Sequence, residues 1–214
     1  MFSDAQRLNH TLICIGAFVS WYCLMFLVAM LPGYGALYRS GLAIPVIFGL
    51  FQLPFSLILW RHYHRHYGTL PSGKVTLARL APPAAALIFI TLIYSLFEEP
   101  EPWLETLNQL SGIHLVLTVV SICLLAPVSE EVIFRGFLLN AGLGFGKRGE
   151  QIAILATSLI FMLVHTQYQQ PATFVFLFLF SVILCYARLY TRSLLVPIIL
   201  HAMCNTYTMA VLLG

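Results

Sequence analysis

The sequence predicts an all-α fold: a polytopic transmembrane helix bundle of about seven spans, with a polar pocket between spans four, five and seven. Three observations carry this. Hydrophobic residues make up 60% of the 214 positions and charged residues only 9%, with mean hydropathy +0.89, whereas a soluble domain carries about 25% charged residues. The apolar residues fall into long runs separated by proline, glycine and basic clusters. A small set of charged and polar side chains interrupts three of those runs at helical spacing. Residues 1–214 are expected to form a single integral membrane domain. Its first part, 1–112, holds three spans and an external acidic loop, and its second part, 113–214, holds the core spans.

A helix needs about 20 apolar residues to cross a bilayer. On that length the spans are expected at about residues 11–31, 41–60, 80–97, 114–138, 151–168, 172–189 and 193–213. "LPGYG", with Pro32, Gly33 and Gly35, ends the first. Pro82 and Pro83 lie near the start of the third, where proline is tolerated. Arg188 and Arg192 crowd the end of the sixth, which makes it a candidate re-entrant segment. Cys14, Cys23, Cys123, Cys185 and Cys204 all lie in apolar runs without a CxxC spacing, and read as reduced packing residues.

Basic residues set orientation. Arg7, then Arg61, Arg65, Lys74 and Arg79, then Lys147 and Arg148, then Arg188 and Arg192 fall on one side when the N-terminus is cytoplasmic. Arg39 falls on the other. "EEPEPWLETLNQLSG", with Glu98, Glu99, Glu101 and Glu105, then lies outside, as does the C-terminus. "HYHRHY" reads as an interfacial anchor of aromatic and basic residues rather than a metal site. This distribution of charge reports topology and excludes nucleic acid as a partner; membrane lipids are the expected surroundings.

The fourth span carries "PVSEEVIFRG", residues 127–136. A charge at the bilayer centre costs about 2.5–3.5 kcal/mol even on insertion scales. Glu131 and Arg135 are four residues apart, share a helix face and are expected to pair. Glu130 points about 100° away and has Phe134 as its i+4 neighbour, so it needs a polar partner on another helix. Pro127 leaves a carbonyl free just before it. Two other spans offer polar groups: "FMLVH", with Phe161 and His165, and "HAMCN", with His201 and Asn205, each at i,i+4 spacing. Polar groups from separate helices converge in a shared pocket when buried.

Such a set can hydrolyse an amide without a covalent intermediate. Glu130 is the candidate general base for water, His165 holds that water or protonates the leaving amine, and His201 with Asn205 donates to an oxyanion. The same atoms offer an alternative, a zinc site of Glu130, His165 and His201 with an open position for water. No HExxH helix and no GxSxG turn is present. The glycines of "GLGFGKRG" follow no strand, which excludes a dinucleotide fingerprint.

"EEVIFRG", "FMLVH" and "HAMCN", in this order, resemble the CPBP family of intramembrane proteases, which includes the CAAX prenyl endopeptidases and bacterial Abi (bacteriocin-immunity) proteins. Its pattern is EExxxR, FxxxH and HxxxN on successive membrane helices. All seven positions match: Glu130, Glu131 and Arg135; Phe161 and His165; His201 and Asn205. The resemblance covers roughly residues 114–210. It implies proteolysis within the bilayer, with Glu130 and His165 activating water and His201 and Asn205 forming an oxyanion hole. Glu131, Arg135 and Phe161 support them. The metal-free version is favoured, because His201 and Asn205 share one face and no cysteine or third histidine strengthens a metal set; zinc is the alternative cofactor. The expected substrate is a membrane-anchored or prenylated protein or peptide, and the expected location a prokaryotic plasma membrane. A non-catalytic scaffold or immunity protein is the rival reading. A proton-coupled transporter would predict internal repeats, and none is present.

One tension follows from these boundaries. Glu130 and His201 fall nearer the cytoplasmic ends of their spans, while His165 falls past the middle of its own. For the three to meet, the fifth span must begin elsewhere or tilt.

Overall fold

The computed structural model describes residues 4–67 and 72–214. They form helices and connecting turns, with no strand among them. The first helix is α1, Asp4–Ala29. A left-handed Gly33 (φ 86°) turns the chain into the short α2, Tyr34–Arg39. Next come α3, Ala43–Tyr67, and α4, Leu77–Tyr94. The loop after α4 contains a short α5, Pro102–Glu105, continued by a 3-10 turn, Thr106–Gln109. The chain ends with α6, Gly112–Leu143, α7, Gly146–Val164, α8, Pro171–Thr191, and α9, Leu195–Leu213.

Six of these helices (α1, α3, α4, α6, α8 and α9) are long and apolar enough to cross a membrane. The chain is an integral membrane protein. The expected fifth span is the exception. Helix α7 begins at Gly146 rather than near 151, takes Lys147, Arg148 and Glu150 into its first turns, and ends at Val164. Its uncharged stretch, Gln151 to Val164, is about 21 Å long, short of a 30 Å hydrocarbon core. The sixth span, expected to be the weaker, is an unbroken helix of 21 residues.

These boundaries remove the tension in depth. Helix α6 runs to Leu143, five residues past its expected end, so Glu130 stands about 20 Å from that end. His165 stands about 21 Å beyond Gln151 on the antiparallel α7. Helix α9 starts two residues late, because its entry is drawn inward: Ser72 O accepts hydrogen bonds from Ser193 Oγ (2.7 Å) and Leu195 N (3.2 Å). Gly73, left-handed at φ 77°, lies against Ser193 where any Cβ would overlap it. "HYHRHY", expected in a loop, is instead the last turns of α3. Tyr63 there is buried, bonded to His10, and reached by Asn140 Nδ2 (3.4 Å), so it ties α1, α3 and α6 together.

Helix α6 is the axis. From Ala126 to Leu139 every residue except Val128 is buried. Its core neighbours come from α1 (Cys14, Ala17, Trp21), α7 (Phe161), α8 (Phe180, Leu184) and α9 (Val196, Leu200). Trp21 Nε1 donates to Ser129 Oγ at 2.9 Å, which anchors α1 beside the glutamates. The glycines of "GLGFGKRG" allow α6 and α7 to meet: a Cβ on Gly142 would lie 2.7 Å from both Ala153 Cβ and Gly149 O. The outward faces, including Leu12, Val19, Ile88, Phe89, Leu92, Val175 and Leu179, are apolar, as a lipid-facing surface requires.

Candidate active site

The helix that bears the glutamates is not regular. Helix α6 contains two π-helical stretches, Ser121–Leu125 and Val132–Leu138, on either side of Pro127 and the glutamates. Such widened turns frequently mark functional positions. In the first, Ala126 N–H donates to Ser121 O. The next donor in that register would be residue 127, a proline without an N–H, so the Ile122 carbonyl loses its helical partner. Asn205 Nδ2 of α9 donates to that carbonyl at 2.8 Å. The carbonyl expected to be freed by Pro127 is thus the one that Asn205 holds, and one of the two Asn205 amide hydrogens is committed there.

One turn further along, Glu131 and Arg135 form the expected pair, with Nη1 to Oε1 at 2.8 Å and both side chains fully buried. Arg135 Nη2 also donates to Ser181 Oγ (2.8 Å) and Ser181 O (3.2 Å) of α8, and the guanidinium stands over the Phe161 ring at 4.7 Å. His201 Nδ1 lies 2.7 Å from the same Glu131 Oε1. Since a carboxylate oxygen accepts, the ring donates from Nδ1 and turns Nε2 toward Glu130. Glu131 therefore accepts from Arg135 and His201 together, and charge-assisted bonds of this kind are the stronger ones.

His165 is oriented in the same manner. It is the C-terminal cap of α7, and its Nδ1 donates to Phe161 O at 2.6 Å. Its Nε2 then faces Glu130 Oε2 at 3.9 Å, while His201 Nε2 faces the same oxygen at 4.0 Å. Glu130 is 8% exposed, and its Oε2 has no hydrogen-bond partner. Both gaps are too long for a direct hydrogen bond and of the length that a shared water bridges. Phe161, fully buried, packs against His165 (ring centroids 4.4 Å) and His201 (6.0 Å).

The structure thus brings together all seven residues singled out in the sequence. Glu130, His165 and His201 converge on one point; Glu131, Arg135 and Phe161 surround them; Asn205 lies one helical turn beyond His201. The donor types suit zinc, and each imidazole has its second nitrogen engaged as metal-binding histidines do. Among the described residues, however, no three His, Cys, Asp or Glu side chains are arranged to hold a metal ion. Several contributors carry no sequence signal: Ser181 is the lone serine of the apolar α8, and Ser129 is one of two serines in α6. Tyr168 stacks on His165 at 6.2 Å from the turn between α7 and α8; burial, and then the Glu130 carboxylate, raise the pKa of its phenol.

Residues 112–207 match a protein-family model described as type II CAAX prenyl endopeptidase, Rce1-like. That segment is similar to the Rce1-like family. It contains α6, α7, α8 and most of α9, with every residue of the cluster just described. The chain is also 38% identical, over 107 residues, to an Escherichia coli protein described as an "Uncharacterized 24.3 kDa protein". This match covers 50% of the present chain and 49% of that relative, so the chain spans about half the length of the relative it matches. No solved structure matches the chain. Helices α1 to α5 lie outside the Rce1-like segment, yet Trp21 and the turn around α5 contact it directly.

Proposed function

We propose that this protein is an intramembrane endopeptidase of the CAAX type that cleaves a peptide bond with a water activated by Glu130 and His165. The reading rests above all on the Glu130 carboxylate oxygen, buried without a hydrogen-bond partner and facing two imidazole Nε2 atoms from separate helices. Glu130 takes a proton from water held between it and His165, and the hydroxide attacks the carbonyl carbon. The resulting oxyanion accepts hydrogen bonds from His201 Nε2 and from the second Asn205 amide hydrogen. With Nδ1 donating to Glu131, His201 donates from Nε2 when its ring holds both protons; two carboxylates, one guanidinium and one imidazolium then sum to zero charge. Glu130 returns its proton to the leaving amine as the C–N bond breaks, and ends as the carboxylate it began as. The substrate is a membrane-anchored or prenylated polypeptide. The setting is a prokaryotic plasma membrane, with the N-terminus cytoplasmic and the C-terminus outside.

A zinc-dependent form of the same reaction is the second reading, favoured by the donor types, two imidazole Nε2 atoms and one carboxylate, although their spacing does not itself form a metal site. Glu130, His165 and His201 would hold the ion, which would supply Lewis-acid activation of water. Purified protein tested on candidate membrane-anchored substrates separates these readings. Wild type is expected to cleave with and without chelator, while Glu130→Ala and His165→Ala lose at least about a hundredfold in rate. Loss on chelation with recovery on zinc supports the metal form. Equal cleavage by all three proteins rejects the site and leaves the scaffold reading.

A further inference from the structure

His165 stands just beyond the last residue of α7, where the helix no longer fixes its backbone. It opens a turn, residues 165–170, in which Thr166, Gln167 and Gln169 are exposed. An exposed turn does not by itself hold an imidazole against Glu130. The restraint comes from the acidic loop between α4 and α6. Three of its four glutamates, Glu98, Glu99 and Glu105, are exposed, whereas Glu101 is 3% exposed. Both of its oxygens are occupied: Oε2 accepts from Gln169 N (2.8 Å) and Oε1 from Gln170 N (3.1 Å). These amides lead into α8, so the carboxylate also lies at the positive end of that helix. Gln170 Nε2 donates back to Pro100 O at 3.3 Å. Two residues on, Trp103 packs edge-on against Tyr168 (5.4 Å), and Tyr168 stacks on His165. The loop is itself seated, because Leu107 packs with Cys123 of α6 and Met209 of α9.

We infer that Glu101 is a positioning residue for His165, acting through the 165–170 turn and the Trp103–Tyr168 contact. It lies outside the Rce1-like segment and touches no reacting group. A carboxylate suits this task because it accepts two hydrogen bonds from adjacent backbone N–H groups. An amide presents one acceptor and turns an NH2 group toward a donor. The catalytic part of this inference rests on the proteolytic reading above; the geometric part does not.

The test compares wild type, Glu101→Gln, Glu101→Asp and a control at exposed Glu99→Gln, each in detergent or nanodiscs. Hydrogen exchange of the 165–170 turn and the imidazole resonances of His165 are measured beside cleavage kinetics. Glu101→Gln is expected to lose about tenfold to hundredfold of amide protection at Gln169 and Gln170. It shifts the His165 resonances, leaves α6 protection unchanged, and lowers kcat about tenfold or more with KM within about twofold. Glu101→Asp recovers part of each, and Glu99→Gln matches wild type. Unchanged His165 resonances in Glu101→Gln overturn the inference, whatever happens to the amides. Lost protection with unchanged kcat reduces Glu101 to a structural clamp and overturns it likewise. If wild type cleaves nothing, the proteolytic reading fails by itself, and the resonances and exchange still decide the positioning of His165.

Discussion

Arg135 shows why a membrane helix retains a buried cation. Its guanidinium has a carboxylate, a hydroxyl, a backbone carbonyl and an aromatic face around it, so the burial cost is offset from four sides. Only a planar fork fits that arrangement. Arg135→Lys keeps the charge but reaches one or two of these partners, and is expected to destabilise the protein by about 2 kcal/mol. Arg135→Ala leaves Glu131 buried beside His201 with its cation removed and costs about 3–5 kcal/mol. Unfolding in mixed detergent or by steric trapping measures both. A loss below about 0.5 kcal/mol for Arg135→Ala would show that Glu131 is satisfied without it.

At the scale of the element, α6 and α9 are joined by a repair. Pro127 removes an N–H, the π-helical register before it assigns that loss to Ile122 O, and Asn205 supplies the missing donor. Asn205→Ala is therefore expected to cost about 1–3 kcal/mol through an unsatisfied, partly buried carbonyl. Pro127→Ala restores a backbone donor, and in that background the same change is expected to cost at least about 1 kcal/mol less. A double-mutant cycle on unfolding free energy checks this, and strict additivity would disprove the link. The cycle also separates the structural bond of Asn205 from its proposed donation to an oxyanion. Its structural bond is replaceable by a backbone N–H, while donation to an oxyanion is not, so Pro127→Ala/Asn205→Ala is expected to be stable yet slow.

For the whole molecule, the two charged ends are unlike. Lys147 and Arg148 open α7 at one end, and the glutamates beside α5 lie at the other. With the positive end inside, Glu99→Cys in intact cells is expected to react with a membrane-impermeant maleimide, measured against the unsubstituted chain with its five cysteines. Lys147→Cys is expected to react only after permeabilisation. The reverse pattern would invert the proposed orientation and put the Glu101 clamp on the cytoplasmic side.

Most of the helices and the members of the site are legible in the sequence, because both depend on local composition. Apolar runs of about 20 residues announce helices that cross a bilayer, and i,i+4 spacing announces which polar side chains share a face. EExxxR, FxxxH and HxxxN on α6, α7 and α9 name Glu130, His165 and their neighbours without any knowledge of packing. Helix ends were less legible: the start of α7 and the start of α9 depend on Gly142 meeting Gly149 and on Ser72 meeting Ser193, contacts between residues far apart or free of any hydrophobic signal. Only the tertiary structure decided that Glu131 accepts from Arg135 and His201 at once, that Asn205 completes the helix broken by Pro127, and that Glu101 alone among four similar glutamates is buried against the turn of His165. Burial and hydrogen-bond partnership belong to pairs of distant residues, and a one-dimensional pattern carries no record of which pairs meet.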